Sequence, residues 1–313
     1  MTGYVLRRLT ALILTLLAAA LVIFVMLEIL PGDPAAVALG LNPAPEALAA
    51  LRAEMGLDKP AALRFVLWLG GLATGDLGLS YTYRVPVSKL ILERMAVTLP
   101  LALMAIGLST AIGIPLGVFA AARHGGPADA GVMAFAQAGL AIPNFWFGLL
   151  LVLVFAVGLG WLPAGGFPGW QEPGAALKAL LLPALALALP QAAIIARMTR
   201  SSMLDTLQED FVRTARAKGL SEGTTLRRHA LRNALIPVVT ILGLQFSVLI
   251  AGAIIIENVF ALPGLGRLVF QAIAQHDLIV VKDLVLLFAG AAILINFVVE
   301  LTYGLIDPRL RQA

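Results

Sequence analysis

The 313-residue sequence contains no cysteine. Disulfide frameworks, thiolate metal sites and cysteine nucleophiles are thereby excluded. Charge is scarce. Asp, Glu, Lys and Arg make up 13% of the residues, against about 25% in a soluble domain, too few to clothe a water-soluble globule in polar surface. Histidine occurs only as His124, His229 and His276, on three separate loops and without metal-ligand spacing. No His-Glu-x-x-His motif, no Gly-x-x-x-x-Gly-Lys-Ser/Thr phosphate loop and no Gly-x-Ser-x-Gly elbow is present. An enzyme is therefore disfavoured: no residue is assigned a catalytic or metal-binding role, and no cofactor is expected on this chain.

What the sequence has in quantity is apolar residues, 60% of the total, with a mean hydropathy of +0.95. Runs free of Asp, Glu, Lys and Arg cover 9–27, 96–122, 130–161, 179–196 and 233–256, and a shorter run at 284–299 extends to about 282–306. One charge at a helix centre costs about 2.5–3.5 kcal/mol on the insertion scale, so these runs predict an all-α, polytopic integral membrane protein of about six transmembrane helices. The run at 130–161 is long enough for a tilted helix plus an interfacial turn. The first run is longer than a signal-peptide core and lacks a small-x-small cleavage site, so it is read as an uncleaved helix.

The basic residues set the orientation. With the N-terminus inside, cytoplasmic segments hold thirteen Lys and Arg, including Arg7, Arg8, Arg123, Arg309 and Arg311, while the two short outer loops hold only Lys178, Arg267 and Lys282. Both termini inside satisfies the positive-inside rule. The loop 197–233 carries eight bases and four acids, a surplus equal to the net charge of +4. Basicity therefore belongs to one cytoplasmic loop, and nucleic acid is not an expected partner.

The segment 31–95 is the largest extramembrane piece, an extracytoplasmic insertion with predicted helices at 45–55 and 61–72. Gly56-Leu57-Asp58-Lys59-Pro60 reads as the turn between them, and Gly70, Gly71, Gly75 and Gly78 are expected to break helicity. Pro100, Pro115, Pro143, Pro183, Pro190 and Pro237 fall inside spans, where neighbouring helices re-satisfy the freed backbone groups. Glu28, Glu257, Asp283 and Glu300 lie near span ends, where structural roles are expected. The uncharged Gln137, Asn144, Gln191, Gln245 and Asn296 are candidates to line a pathway, or else to bond helix to helix. Asn144, Gln191 and Gln245 lead that set.

The cytoplasmic loop reads as a helix at 210–218, a break at Gly219, a Ser221-x-x-Thr224 turn and a second helix re-entering the bilayer. Such a loop could be solvated, or could dock in a groove of another protein. Arg213-Thr214-Ala215-Arg216-Ala217-Lys218-Gly219-Leu220, followed by Arg228-His229-Ala230-Leu231-Arg232-Asn233-Ala234, resembles the coupling loop of the peptide/nickel class of ABC-transporter permeases. The resemblance spans nearly the whole chain. It includes Leu30-Pro31-Gly32-Asp33-Pro34-Ala35, then Leu67-Trp68-Leu69 with Gly75-Asp76-Leu77-Gly78-Leu79-Ser80, and Ile142-Pro143-Asn144-Phe145-Trp146-Phe147-Gly148. It continues through Glu257-Asn258-Val259-Phe260 with Pro263-Gly264-Leu265-Gly266, to Asp307-Pro308-Arg309-Leu310-Arg311. Where the broader permease consensus begins Glu-Ala-Ala, this chain has Arg213-Thr214-Ala215, as is typical of the peptide subclass.

The resemblance implies a single type I ABC importer permease domain over 1–313, in the bacterial cytoplasmic (inner) membrane. It implies pairing with a second permease subunit, two ABC ATPase subunits that carry ATP and Mg, and an extracytoplasmic solute-binding protein. Arg213, Thr214, Ala215, Arg216, Ala217, Lys218, Gly219 and Leu220 would then meet the ATPase, and the cargo would be dipeptides or oligopeptides. Alternatives are a nickel or glutathione importer permease of the same family, an ion-coupled secondary carrier, or a membrane enzyme or scaffold.

Overall fold

A computed structural model describes residues 2–29, 34–39 and 44–306. Residues 30–33 of the first motif block and the terminal block 307–311, with Arg309 and Arg311, lie outside the described residues. Among the described residues the chain is helical, without a strand and with one isolated bridge between Leu79 and Pro86. The helices are α1 (Thr2–Ile29), α2 (Pro34–Leu39), α3 (Pro45–Glu54), α4 (Ala61–Thr74), α5 (Val87–Ala122), α6 (Pro127–Ala141) and α7 (Asn144–Leu151). Helix α7 runs into a π-helical segment, Val152–Gly158. Then come α8 (Pro173–Leu207), α9 (Asp210–Ala217) and the single turn α10 (Glu222–Thr224), which leads through a second π-helical segment, Thr225–Ala230, into α11 (Leu231–Val259). Helices α12 (Leu265–Ala274) and α13 (Leu278–Ile306) follow.

Among the described residues five stretches are long and apolar enough to cross a membrane: Val5–Ile29, Val87–Ala122, Pro173–Leu207, Glu222–Val259 and Leu278–Thr302. A sixth exists if α6 and Asn144–Gly158, bent by 103° across a short break, count as one span. The break differs from the tilted helix expected over 130–161. Its cause is local: Ile142 precedes a proline and is extended, with φ −91° and ψ 124°, because the Pro143 ring disfavours the α region for its predecessor. The other span prolines stay inside their helices, Pro100 and Pro115 in α5, Pro183 and Pro190 in α8, and Pro237 in α11.

The chain divides into two compact units, Met1–Thr98 with Pro263–Leu301, and Leu99–Leu262 with Thr302–Ile306. In the first, α3 and α4 form as the sequence predicts, with Gly56 at φ +67° in the turn between them. Gly70 and Gly71 do not break α4, contrary to expectation. The helix ends at Gly75, whose φ of +79° suits a residue without a Cβ. Gly71 is needed for another reason: the Asp76 carbonyl folds onto it where a Cβ would collide. Trp68 of α4 is buried against Phe24 of α1, with ring centroids 6.2 Å apart, and its indole N–H donates to Asp283 of α13 at 2.7 Å. Buried Asp277 accepts from the Ser80 hydroxyl at 2.5 Å and from the Thr82 N–H at 3.1 Å, which anchors the Gly75–Ser80 motif. The Thr98 hydroxyl accepts from the Leu265 N–H at 2.8 Å and thereby caps α12. Arg8 pairs with Glu300 at 2.8 Å.

In the second unit α8 is the central helix, with 72% of its most apolar window buried. Its Ala-rich sequence lets neighbouring backbones come close. Gly113 and Gly117, one turn apart on α5, face it directly. A Cβ on Gly117 would lie 2.5 Å from the Ala196 carbonyl, and one on Gly113 would lie 2.8 Å from the Ala192 carbonyl. Gly139 of α6 meets Ala193, Gly148 of α7 meets Ala186 and Phe260, and Gly252 of α11 meets Leu187.

Candidate functional site

Helix α9 and the turn after it form the first site. Its N-terminus carries Asp210, favourable to the helix dipole. Val212 and Ala215, three residues apart and therefore on one face, are buried. Arg213, Thr214, Arg216, Ala217, Lys218, Gly219 and Leu220 are exposed. Of the eight residues the sequence singled out here, seven thus lie on the accessible side. Ala215 lies beneath them and holds the helix in place. Gly219 adopts φ +82° with open space around it, so the turn demands glycine for conformation and not for room. Ser221 then accepts from the Thr224 N–H at 3.4 Å and caps α10. Beyond it Ala230 and Ala234 pack on Met203 of α8 and Ala121 of α5, and the Ser202 hydroxyl donates to the Ala234 carbonyl at 2.8 Å. The exposed face of α9 therefore sits on a base packed against the ends of α5 and α8.

A second feature was missed by sequence reasoning. Asp129, in the first turn of α6, is 5% exposed at its side chain and accepts from Arg200 of α8 through both oxygens, at 2.5 and 2.7 Å. Its Oδ2 also accepts from the Gly125 N–H at 3.0 Å, and His124 Nδ1 lies 3.3 Å away. This bidentate, charge-assisted geometry is the strong form of an ion pair, and it ties α6 to the helix that continues into α9. The available signal was Asp129 itself, the one acid between Glu93 and Glu172.

The amide candidates divide. Gln191 of α8 and Gln245 of α11 are buried and hydrogen-bonded to each other. Asn144, at the start of α7, is half-buried beside Gly252 of α11. Gln137 and Asn296 are exposed. The four carboxylates near span ends have structural surroundings: Glu28 pairs with Arg64, Glu300 with Arg8 and Asp283 with Trp68, and Glu257 is fully buried. Among the described residues no group of three or more His, Asp or Glu is placed to hold a metal ion.

Comparison with known proteins places this arrangement among transport systems. Residues 113–312 match the family described as binding-protein-dependent transport system inner membrane component, and residues 1–102 match its N-terminal counterpart. A Brucella abortus protein named as a peptide transport system permease is 44% identical over 312 residues, 99% of each chain. The di/tripeptide transport system permease protein of Pseudomonas aeruginosa is 42% identical, covering 100% of this chain and 99% of its own. The glutathione transport system permease protein of a Salmonella choleraesuis strain is 42% identical over 99% of each chain. A crystal structure of an amino acid ABC transporter with histidines has a similar fold, with a TM-score of 0.50 at 16% identity, covering 71% of this chain and 94% of that one.

Proposed function

The chain belongs to the binding-protein-dependent transport system inner membrane components, and from that membership we propose that it imports short peptides as one half of a permease pair. It is a multi-pass membrane permease of an ABC importer. The peptide cargo rests on the names of relatives that match end to end at 42–44% identity. The glutathione-permease relative favours a second reading, in which glutathione is the cargo.

The observation that carries the mechanism is the exposed side of α9. It offers three cations, small residues and a glycine turn on a buried base. Such a surface suits a groove on a separate ATPase subunit: Thr214, Ala217 and Gly219 permit close approach, while Arg213, Arg216 and Lys218 supply charge. ATP and Mg would be held by that subunit, since this sequence has no phosphate loop. A thrust on α9 would pass into α8, into α11 through the second π-helical segment, and from α8 into α6 through Asp129–Arg200. Asn144 would face the cargo path at the start of α7, with the Gln191–Gln245 bond spacing the two helices behind it. Loop 197–233 and both termini would face the cytoplasm. Segment 31–95 would face outward, where a solute-binding protein delivers cargo.

The test is co-purification of the full importer in detergent, followed by peptide uptake in proteoliposomes. Ala217→Trp adds bulk on the exposed side and Gly219→Val strains the turn. Both chains are expected to fold, lose the ATPase subunits and lose uptake. Ala215→Trp is the folding control, because it overfills a buried position. Full ATPase-coupled uptake by both A217W and G219V, or uphill transport with no ATPase subunit present, would overturn the reading. Unlabelled glutathione that outcompetes dipeptides would move the cargo to the second reading.

A further inference from the structure

The first unit contains a cavity of about 600 Å³, within the range of small-ligand sites. Its walls come from the outer end of α1, the α3–α4 turn, α4, the Asp76–Tyr81 segment and the start of α13. Nothing in the coupling mechanism uses it.

Its charges can be paired off. Glu28 is taken by Arg64, and Glu54 by Arg84 at 3.2 Å. Three charged groups on the lining remain. Lys59 and Lys282 have no carboxylate within ion-pair distance among the described residues, and Asp76 has only the Gly78 N–H, at 3.0 Å. The Lys282 ammonium lies 4.5 Å from the centroid of the Trp68 ring, which is fixed at its edge by the indole N–H bond to Asp283. An ammonium on a ring face still has N–H donors directed away from the ring to offer an anion. Tyr81 also lines the cavity. Burial pushes its phenol up to about 12, with Asp277 adding to the effect and Arg64 opposing it, so its hydroxyl stays a neutral donor. Phe24, Leu27 and Leu67 give the cavity an apolar side.

Two cations without a close ion pair, Lys282 feeling Asp283 and Glu28 only from beyond contact distance, and a carboxylate held by one backbone N–H stand beside an apolar wall, a complementary surface for a molecule bearing both charges. We propose that this cavity is a binding site for a small zwitterion, its anionic group between Lys59 and Lys282 and its ammonium group at Asp76. That chemistry has two sources at the outer face, a free short peptide or the headgroup of phosphatidylethanolamine. The site stands on this geometry alone and does not depend on the coupling role of α9.

The test uses the full chain with Trp146, Trp161 and Trp170 changed to Phe, leaving Trp68 as the reporter, in nanodiscs of phosphatidylglycerol. Alanyl-alanine is expected to shift Trp68 emission saturably. N-acetylated and C-amidated analogues should bind at least about tenfold more weakly, the loss of one charge-assisted contact. K59A and D76N should weaken binding similarly. Both positions are exposed, and Asn keeps the acceptor that holds the Gly78 turn, so both variants are expected to fold. If lipid is the natural occupant, nanodiscs containing phosphatidylethanolamine abolish the peptide response. Native mass spectrometry would then find that lipid retained by the wild type and lost from K59A and D76N. A response unchanged by K59A and D76N, or neither a peptide response nor retained lipid, would overturn the proposal. Uptake could survive either result, which separates this site from the transport reading.

Discussion

Asp129 carries a carboxylate where the sequence offers no other acid for dozens of residues on either side, and Arg200 holds both of its oxygens. Removing one partner of such a pair leaves a largely buried charge unmatched, a loss of about 3–5 kcal/mol. Asp129→Asn is therefore expected to lower the thermal midpoint of the detergent-solubilised protein by several degrees. Arg200→Lys keeps the charge but gives up the two-pronged geometry, and should cost less. The exchange D129R with R200D should recover part of the loss. If D129N melts with the wild type, the pair does not tie α6 to α8. This pairing was illegible in the sequence because it joins positions 71 apart, and neither residue sits in a motif. By contrast, Gly219 was legible as a helix stop, because a glycine after a short amphipathic run has a local conformational meaning. The burial of Ala215 was not, because its helix could present either face until Val212 was seen to be buried with it.

At the scale of elements, the spans could be read because a charge-free run has few alternatives in a bilayer. Their ends could not. Helices α5 and α8, at 36 and 35 residues, extend to about 52–54 Å at 1.5 Å per residue, well past a hydrocarbon core of about 30 Å. Charged residues permit such helices to continue into water, so charge counts alone truncated them. The π-helical segments had no sequence signature. A π-turn is one extra residue accommodated in an α-helix, and any composition can host it. The segment Thr225–Ala230 lies between α9 and α11 and holds a buried Thr225 hydroxyl without a hydrogen-bond partner. Deleting Arg228 should collapse the bulge into regular helix and leave the register of α11 intact, with little change in melting temperature. Deleting Val239, within regular α11, should rotate one end of the helix by about 100° relative to the other. It should abolish folding, because Ala234 and Gln245 could no longer both keep their buried partners. Equal damage from the two deletions, read by size-exclusion profile and thermal midpoint, would argue against a removable extra residue.

For the whole molecule, everything downstream of α6 depends on whether the helix pair bent by 103° at Ile142–Pro143 crosses the bilayer or turns back. The backbone tolerates a crossing. Pro143 has no N–H to lose, the Ile142 N–H still donates to Ala138 at 3.2 Å, and the Phe147 N–H donates to the Pro143 carbonyl at 3.0 Å. The break therefore leaves few groups unsatisfied, which is what lipid demands. A returning loop would invert every later span. It would put loop 197–233, with eight bases against four acids, on the outer side, against the positive-inside rule. The absence of cysteine makes the question directly measurable, because any introduced thiol is the sole one. With a membrane-impermeant maleimide on intact cells, Asp58→Cys and Gln171→Cys are expected to label. Lys218→Cys should label only after permeabilisation. The reverse pattern at 171 and 218, with Asp58→Cys still labelled, would show that the bent pair turns back and would place α9 beyond the reach of any cytoplasmic ATPase.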